Sequence, residues 1–464
     1  MGFWKRLESK KKPDKEKGRP RSAGSEGNVP DHWTQYEGIP IDAEKIQLVI
    51  GLDFGTAYTK VVVSESRRAY AVPLGEGLMG TRNPYLLPGV VTVDEMNRVH
   101  LGTTASGQMF SNIKMRILDR DTGQRTFSLA AAFISFVLRK TRSWLMNTHR
   151  ATYQSCHLDW VINVGLPSEH HDDAELKSFY KNVVISAWQA STKAGGIVLS
   201  DFNQDASNGH DSGMVFTFPE FVAQITGYVR SPRRRSDLHM LVDVGAGTVD
   251  ISAFNVVDND GEYFFPTFAG RVRHYGVHVL HRHRVQHAGT RRIPYKEGAS
   301  DEEVAVSLGI PKSSLSEIDD PFRKRLFQQI KDVVEEARQK YPMSKGWKDG
   351  LPLFLCGGGA SAALYADLTE NIVRSELPCP MQKLDLPVPE KLSSEGLHWQ
   401  EYSRLSVAYG LSFDPFDIGE VIDQSKTDEI SEEREYGICR HCDGTGGLVV
   451  ANSCRFCGGT GSQP

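Results

Sequence analysis

Two stretches of the chain share one pattern of apolar and polar positions. Residues 48–63 read LVIGLDFGTAYTKVVV, an apolar run that leads into a turn of Gly and Thr and then into a β-branched run. Residues 240–254, MLVDVGAGTVDISAF, repeat this order. In each stretch an aspartate, Asp53 or Asp243, ends the first apolar run. The pattern predicts two β-hairpins with buried strands and a polar turn.

The residue types in these turns are those that phosphate binding requires. Glycine lets the backbone come close to a bulky anion, and successive N–H groups with a threonine hydroxyl can surround it. An aspartate at the end of the strand can orient a hydrated Mg²⁺ ion or a water molecule. Similar turns also occur in ordinary hairpins, so one copy alone would be weak evidence. The pattern occurs twice in the chain, and this repetition favours phosphate binding. The candidate phosphate contacts are Gly55, Thr56, Ala57, Gly245, Gly247 and Thr248, and Asp250 is a candidate for positioning Mg²⁺ and its waters.

A third motif, PLFLCGGGASAALY at 352–365, has a buried strand, the glycines Gly357, Gly358 and Gly359, and the start of a helix. Without side chains there, a planar ring or a ribose can lie against the backbone; the alternative is an ordinary tight turn. The chain has no GxxxxGK[ST] sequence, which excludes a P-loop. GAGTVD at 245–250 lacks the third glycine of a dinucleotide fingerprint, and a strand follows it where that motif needs a helix.

DFGTAYTKV, DVGAGTVD and LCGGGAS, in this order, resemble the phosphate and adenosine motifs of the actin/hexokinase/heat-shock-70 superfamily. The resemblance covers residues 47–413 and is greatest to the ATPase domain of DnaK-type heat-shock-70 chaperones. It implies an α/β, two-lobed actin-like ATPase fold with duplicated ribonuclease-H-like lobes. It also implies that ATP or ADP binds with Mg²⁺ in the cleft between the lobes.

The resemblance extends to single residues. NIKMRILDR at 112–120 is similar to the segment of the catalytic lysine, which implies that role for Lys114; the alternative is an ordinary exposed lysine. FPEFVAQITGY and SVAYGLSF resemble two hinge helices, and the small residues Ala408 and Gly410 of the second are expected to let the helices cross closely. Helix 322–341 offers adenine contacts. The implied catalytic residues are Lys114, Asp243, Glu220 and Asp53, and the implied adenine contacts are Glu335 and Arg338.

Departures from the family limit the functional expectation. Ala57 replaces a second threonine, Arg404 replaces an acidic residue near the adenosine, and 51 residues after Phe413 leave no room for a peptide-binding domain. We therefore expect a heat-shock-70-like, ATP-hydrolysing switch that couples its nucleotide state to a protein partner or co-chaperone. The alternatives are an actin-like filament-forming ATPase, a non-hydrolysing ATP sensor or scaffold, and a small-molecule kinase.

The net charge of −4, from 54 Lys+Arg and 58 Asp+Glu in 464 residues, averages over unlike segments. The first residues are basic and 414–436 are acidic, both typical of solvated segments. No apolar run reaches the ~20 residues of a membrane span, so a cytoplasmic protein is expected. The predicted divisions are a disordered basic arm (1–46), lobe I (47–236), lobe II (237–399), a hinge helix (400–415), an acidic linker (416–436) and a zinc module (437–464).

The last segment carries two CxxC pairs whose spacing suits tetrahedral zinc, and it resembles half of the zinc-binding region of DnaJ-type co-chaperones. A disulfide alternative needs an oxidising compartment. The predicted Zn²⁺ ligands are Cys439, Cys442, Cys454 and Cys457. The stretch 271–292 is rich in Arg and His; it predicts a solvated basic face, with a His283–His287 metal site or contact with nucleic acid or an acidic partner as alternatives.

Overall fold

The structure, a computed structural model, describes residues 28–77, 83–167, 173–204, 214–259, 262–290, 295–296, 298–374 and 379–422. The cysteine module, the acidic linker beyond Ile422 and the basic arm before Asn28 lie outside these residues, so their predictions stay predictions. The described chain is α/β, with two large sheets and one small sheet. None of its helices is long and apolar enough to cross a membrane.

The strands are β1 (Lys45–Phe54), β2 (Tyr58–Ser64), β3 (Ala69–Ala71), β4 (Leu87–Pro88), β5 (Val90–Val93), β6 (Val99–Leu101), β7 (Gln108–Ser111), β8 (His157–Leu166), β9 (Val215–Pro219), β10 (Asp237–Val244), β11 (Val249–Asn259), β12 (Glu262–Arg273), β13 (Leu351–Cys356), β14 (Met381–Leu384), β15 (Leu392–Ser393) and β16 (Glu420–Ile422). The first sheet has the order β15-β3-β2-β1-β8-β9, with β4 also paired to β2. The second has the order β14-β13-β10-β11-β12-β16, and the small third sheet the order β6-β5-β7.

The helices are α1 (Ile113–Leu118), α2 (Gln124–Thr148), α3 (Arg150–Tyr153), α4 (Ala174–Ser191), α5 (Glu220–Val229), α6 (Val277–His287), α7 (Asp301–Leu308), α8 (Lys312–Lys340), α9 (Gly346–Asp349), α10 (Ala363–Arg374) and α11 (Ser406–Leu411). Short 3₁₀ turns span Leu199–Asp201, Trp399–Arg404 and Pro415–Asp417. The predicted helix 322–341 forms the C-terminal part of α8, which runs through Pro321.

The two large sheets repeat one strand arrangement. In the first, β3, β2 and β1 are antiparallel neighbours, and β8 and β9 continue parallel to β1. In the second, β12, β11 and β10 are antiparallel, and β13 and β14 continue parallel to β10. The strands β1 and β10 are the apolar runs of the two sequence hairpins, buried over most of their length as continuous apolar runs predict. Both predicted hairpins are confirmed.

Helices α5 and α11 pack against each other where the two sheets meet. A Cβ atom on Gly410 would lie 1.7 Å from the carbonyl oxygen of Ala223 in α5. A Cβ atom on Gly51 of β1 would lie 2.1 Å from the carbonyl oxygen of Ala408 in α11. The close helix crossing expected at Gly410 is therefore confirmed, and only glycine leaves room for it.

The segment before β1 packs against the first sheet's helices. Val29 and Tyr36 are buried, and the Tyr36 hydroxyl donates to the carbonyl of Met146 over 2.6 Å. The buried Arg142 side chain donates to the carbonyl of Trp33 over 3.0 Å. The predicted disordered arm is thus wrong for residues 28–46, because two apolar anchors and one arginine of α2 hold this polar segment in place.

The buried His239 of β10 predicts a pH-dependent stability. Its Nδ1–H donates to the carbonyl of Asp237 over 2.7 Å, and its Nε2 lies 3.1 Å from the Tyr228 hydroxyl, so the ring is held neutral. Burial lowers the pKa of His239 to about 4. The unfolded chain, with a histidine pKa near ~6.5, therefore takes up the proton first. The stability gained from neutral His239 is complete above about pH 6.5 and is lost as the pH falls towards about 4.

Denaturant unfolding of the wild type and of His239→Gln at pH 7.5 and pH 4.5 measures this contribution. Glutamine does not titrate, so we expect the wild type to lose about 3 kcal/mol more stability than the variant over this interval. Equal losses in the two proteins would contradict the assignment.

Candidate nucleotide site

A cleft of about 420 Å³ is lined by residues of both large sheets. This volume lies within the ~300–1,000 Å³ range of small-molecule sites. The turn after β1, the turn after β10, the end of β13 and the start of α5 all reach it. The cleft therefore collects the three glycine motifs that the sequence singles out.

The turn between β1 and β2 forms one wall. Asp53 is buried near the end of β1, and Gly55, Thr56 and Ala57 follow it along the cleft. A Cβ atom on Gly55 would lie 2.3 Å from the carbonyl oxygen of Tyr58, so this tight turn requires glycine. The backbone thus faces the cleft directly on this side.

The turn between β10 and β11 is fixed by the start of α6. The backbone N–H of Gly276, Val277 and His278 donates to the carbonyls of Gly247, Gly245 and Ala246, over 3.2, 3.1 and 2.9 Å. A Cβ atom on Gly276 would lie 2.5 Å from Ala246, so glycine is needed for this contact. With its carbonyls bonded to the helix, the turn is held in one conformation before any ligand binds.

The third glycine motif abuts the second turn. Gly357 has φ +85°, and a Cβ atom there would lie 2.1 Å from the Oδ1 atom of Asp243. The N–H of Gly359 donates to the carbonyl of Val244 over 2.8 Å. The Arg404 side chain lies close to Gly358. Its guanidinium is 5.6 Å from the centre of the Tyr58 ring. Glycine is therefore required at Gly357 both by its backbone angle and by Asp243.

Two lysines are paired with acids inside the cleft. The Lys60 Nζ lies 2.7 Å from the Asp53 Oδ2, and Lys114 donates to the Glu220 carboxylate. Burial is the largest influence and lowers the pKa of Lys114, but Glu220, Tyr180 and Asp53 together outweigh it and hold that pKa above its usual value. Lys114 is a buried cation, so the alternative of an ordinary exposed lysine is wrong.

Among the acids that line the cleft, Asp243 has a pKa well above its usual value. Burial, and then the neighbouring Glu220 and Asp250 carboxylates, raise the pKa of Asp243 to about 7. Its Oδ1 atom is buried and has no hydrogen-bond partner among the described residues. A nearby cation would stabilise this carboxylate. The described residues contain no group of three or more His, Cys, Asp or Glu side chains that could hold a metal directly.

The cleft brings together most of the sequence-predicted residues. Those that line it are Asp53, Gly55, Thr56, Ala57, Lys114, Glu220, Asp243, Gly245, Thr248, Asp250, Gly357, Gly358 and Gly359. Gly247 does not line it, because that residue turns towards Met115: a Cβ atom there would lie 3.0 Å from the Met115 sulfur.

The two adenine contacts expected from α8 are also absent from the lining of the cleft. Glu335 pairs with Lys331 at 3.6 Å, and the Arg338 guanidinium lies 5.9 Å from the centre of the Trp347 ring. Helix α8 packs its apolar side on the second sheet, and the side chains of Glu335 and Arg338 are exposed. The structure therefore does not bring Glu335 and Arg338 to the cleft, and their adenine contacts stay a prediction.

Some residues that line the cleft were not singled out from the sequence. Tyr58 and Lys60 face the cleft because alternate residues of β2 share one side of the strand. Side chains alternate between the two faces of a strand, so Lys60, two residues after Tyr58, could have been placed on the same side of β2 as Tyr58 from the sequence. His278 and Tyr295 also line the cleft. In α6, the His283 Nε2 bonds the carbonyl of Ile318 and the His287 Nδ1 bonds the carbonyl of His283, which argues against a shared metal.

The chemistry of the cleft suits a polyanion accompanied by a divalent cation. Glycine turns bring backbone to its surface, the two lysines are each paired with one acid, and the further carboxylates Asp243 and Asp250 favour a cation. The four predicted zinc ligands, from Cys439 to Cys457, lie outside the described residues. Comparison of the chain with protein-family models and with curated proteins found no match in either set.

Proposed function

We propose that the chain is a heat-shock-70-like switch of the cytoplasm that binds and hydrolyses ATP. One observation carries the proposal: two Asp–Gly–Thr turns, from corresponding strands of two similarly ordered sheets, line a single cleft with a buried lysine. The repeated strand order supports a two-lobed actin-like fold with ribonuclease-H-like halves. The nucleotide state would be passed to a protein partner.

Each group in the cleft has a role in this proposal. The turns at Thr56 and Thr248 would bind the β- and γ-phosphates of ATP through backbone N–H groups and hydroxyls. Lys114, charged despite its burial, would offset negative charge developing on the γ-phosphate and orient the attacking water. Asp243, beside the Glu220 and Asp250 carboxylates, would hold waters of a bound cation. Mg²⁺, when bound, would supply positive charge to the phosphate oxygens.

The glycine turn at Gly357–Gly359 would receive the ribose and the base. Arg404 and Tyr58 stand beside it, and they take the place of the α8 side chains that the sequence analysis favoured. An arginine guanidinium stacks on planar rings, so this pair suits a purine base. ATP is the proposed nucleotide, and GTP serves as the competing ligand in its test.

The direct test is nucleotide turnover by the purified full-length protein, with Mg²⁺ and with EDTA, alongside light scattering. We expect Mg²⁺-dependent release of phosphate from ATP and constant scattering. Binding without turnover would support the non-hydrolysing sensor, and scattering that rises with protein concentration in ATP would support a filament. Absence of any binding of ATP or GTP would exclude the proposal.

We also propose that the C-terminal cysteines bind one Zn²⁺ ion. The support is the CxxC…CxxC spacing of Cys439, Cys442, Cys454 and Cys457. Elemental analysis of the full-length protein should give one zinc per chain, and Cys454→Ser should lower that content. Cys156→Ser is the matched control, because Cys156 is a buried cysteine of the ATPase body and should leave the zinc content unchanged. Wild-type protein purified without zinc under reducing conditions, and unable to take it up, would contradict this proposal.

A further inference from the structure

A second cavity, of about 790 Å³, adjoins the cleft at the turn that carries Thr56. It lies between α1 and α6, and we call it the basic pocket. The cleft and the basic pocket share four lining residues, which are Thr56, Asn112, His278 and Tyr295. The cleft and the basic pocket are therefore adjacent, and they meet at the turn that carries Thr56.

Positive side chains dominate the basic pocket. Arg116 of α1 and Arg282 of α6 line it from its two sides, and His274 and His281 add ring nitrogens. Asp119 is its one acidic lining residue. Within the described part of the chain, neither arginine forms an ion pair with an acid; Arg116 stands over the Phe110 ring at 5.8 Å. The pocket thus carries two arginines against one carboxylate, and neither arginine is ion-paired among the described residues.

The remaining lining is apolar and aromatic. Met115, Val279 and Val285 contribute hydrocarbon surface. The Tyr295 ring stands at an angle to the rings of His278 and His281, with centroids 5.1 and 5.7 Å apart. A ligand that combines charged groups with a small carbon skeleton would meet both kinds of surface.

We propose that the basic pocket binds a small anionic molecule with phosphate or carboxylate groups, next to the ligand in the cleft. Arginine presents a planar fork that matches both groups with two hydrogen bonds. Two arginines on opposite walls suit a molecule with at least two such groups. The concave shape and the volume fit a metabolite-sized ligand, whereas a nucleic acid or an acidic protein needs an extended surface.

The shared boundary couples the two sites. An anion in the basic pocket would lie beside Thr56 and the turn residue Gly247, which lines this pocket. A ligand in the cleft that contacts the same turn would then change the affinity of the anion, and by reciprocity the anion would change the affinity of that ligand by the same factor. The inference concerns this pocket and does not require the ligand in the cleft to be ATP.

Calorimetric titration of the full-length protein with pyrophosphate, and separately with citrate, tests the proposal. The titrations are made without nucleotide and again with saturating Mg²⁺–ADP. Arg116→Gln and Arg282→Gln should each weaken binding about tenfold, the value of one charge-assisted hydrogen bond. Arg282→Lys should weaken binding less, because it keeps the charge and loses the fork. Arg233→Gln, which removes an exposed arginine outside the pocket, should leave binding unchanged.

The histidine ring signals in NMR spectra locate the bound probe. His274 and His281 line the basic pocket and not the cleft, so their signals should shift on addition of pyrophosphate. Equal probe affinity in wild type, Arg116→Gln and Arg282→Gln would overturn the proposal, as would binding that leaves both histidine signals in place. Arginine-dependent probe binding by a protein that binds no nucleotide would keep this inference and remove the proposed function.

Discussion

Replacing Asp243 with asparagine is expected to reduce ATP turnover by about 100-fold or more and to leave the affinity for ADP within a few-fold of the wild type. Asparagine has the same shape, so the packing against Gly357 is retained. It lacks the charge that burial and the nearby acids make costly, and it cannot attract cation-bound waters as a carboxylate does. The loss should therefore fall on the chemical step. Single-turnover phosphate release and calorimetry with ADP measure the two quantities.

The matched control is Asp367→Asn, an exposed aspartate of α10 outside the cleft, which should turn over ATP as the wild type does. Removing the like charge beside Glu220 and Asp250 should also make Asp243→Asn at least as stable as the wild type. A stable Asp243→Asn protein with unchanged turnover would show that this carboxylate has no part in hydrolysis.

Replacing Gly410 with alanine is expected to destabilise the protein by about 3 kcal/mol or more, the upper part of the range for overpacked sites. The added Cβ would lie 1.7 Å from the carbonyl oxygen of Ala223, and its other near neighbours are backbone atoms of the same residue. Backbone within a helix cannot move aside as a side chain can. Helices α5 and α11 must therefore separate, which opens the contact between the two sheets. Denaturant unfolding measures the change.

Gly196→Ala provides the control, because no heavy atom lies within 4 Å of the added Cβ and its φ lies outside the left-handed region. It should change the free energy of unfolding by less than ~1 kcal/mol. If Gly410→Ala unfolds at the same denaturant concentration as Gly196→Ala, the close packing of α5 on α11 is not a feature of the folded protein in solution.

The hairpins and glycine turns could be predicted from the sequence because their chemistry is local. An apolar run, an aspartate and a glycine within six residues specify a strand and the turn that ends it. The cleft position of Lys114 followed from family resemblance, and its burial could not be read from the chain alone. Its charge is balanced by Glu220, which lies 106 residues away in sequence.

Two features could not be predicted from the sequence: which side of helix α8 lies near the cleft, and how the segment 28–46 is held in place. Helix α8 has a clear apolar side, yet its sequence does not say on which face of the second sheet that side packs. The sequence therefore could not show that Glu335 and Arg338 lie outside the lining of the cleft. The segment 28–46 reads as a polar arm because its anchors, Val29 and Tyr36, are separated by polar residues and held by Arg142 from a distant helix.

The three hydrogen bonds between the start of α6 and the turn after β10 make these two elements one mechanical unit. Helix α6 has eleven residues and thus reaches ~16 Å from the turn. A rotation of the turn by a few degrees would move the far end of the helix by about an ångström, with its row of arginine and histidine side chains. The chain would pivot at Gly276, where the helix meets the turn. Binding of a ligand at the turn would therefore displace the positively charged side chains of α6.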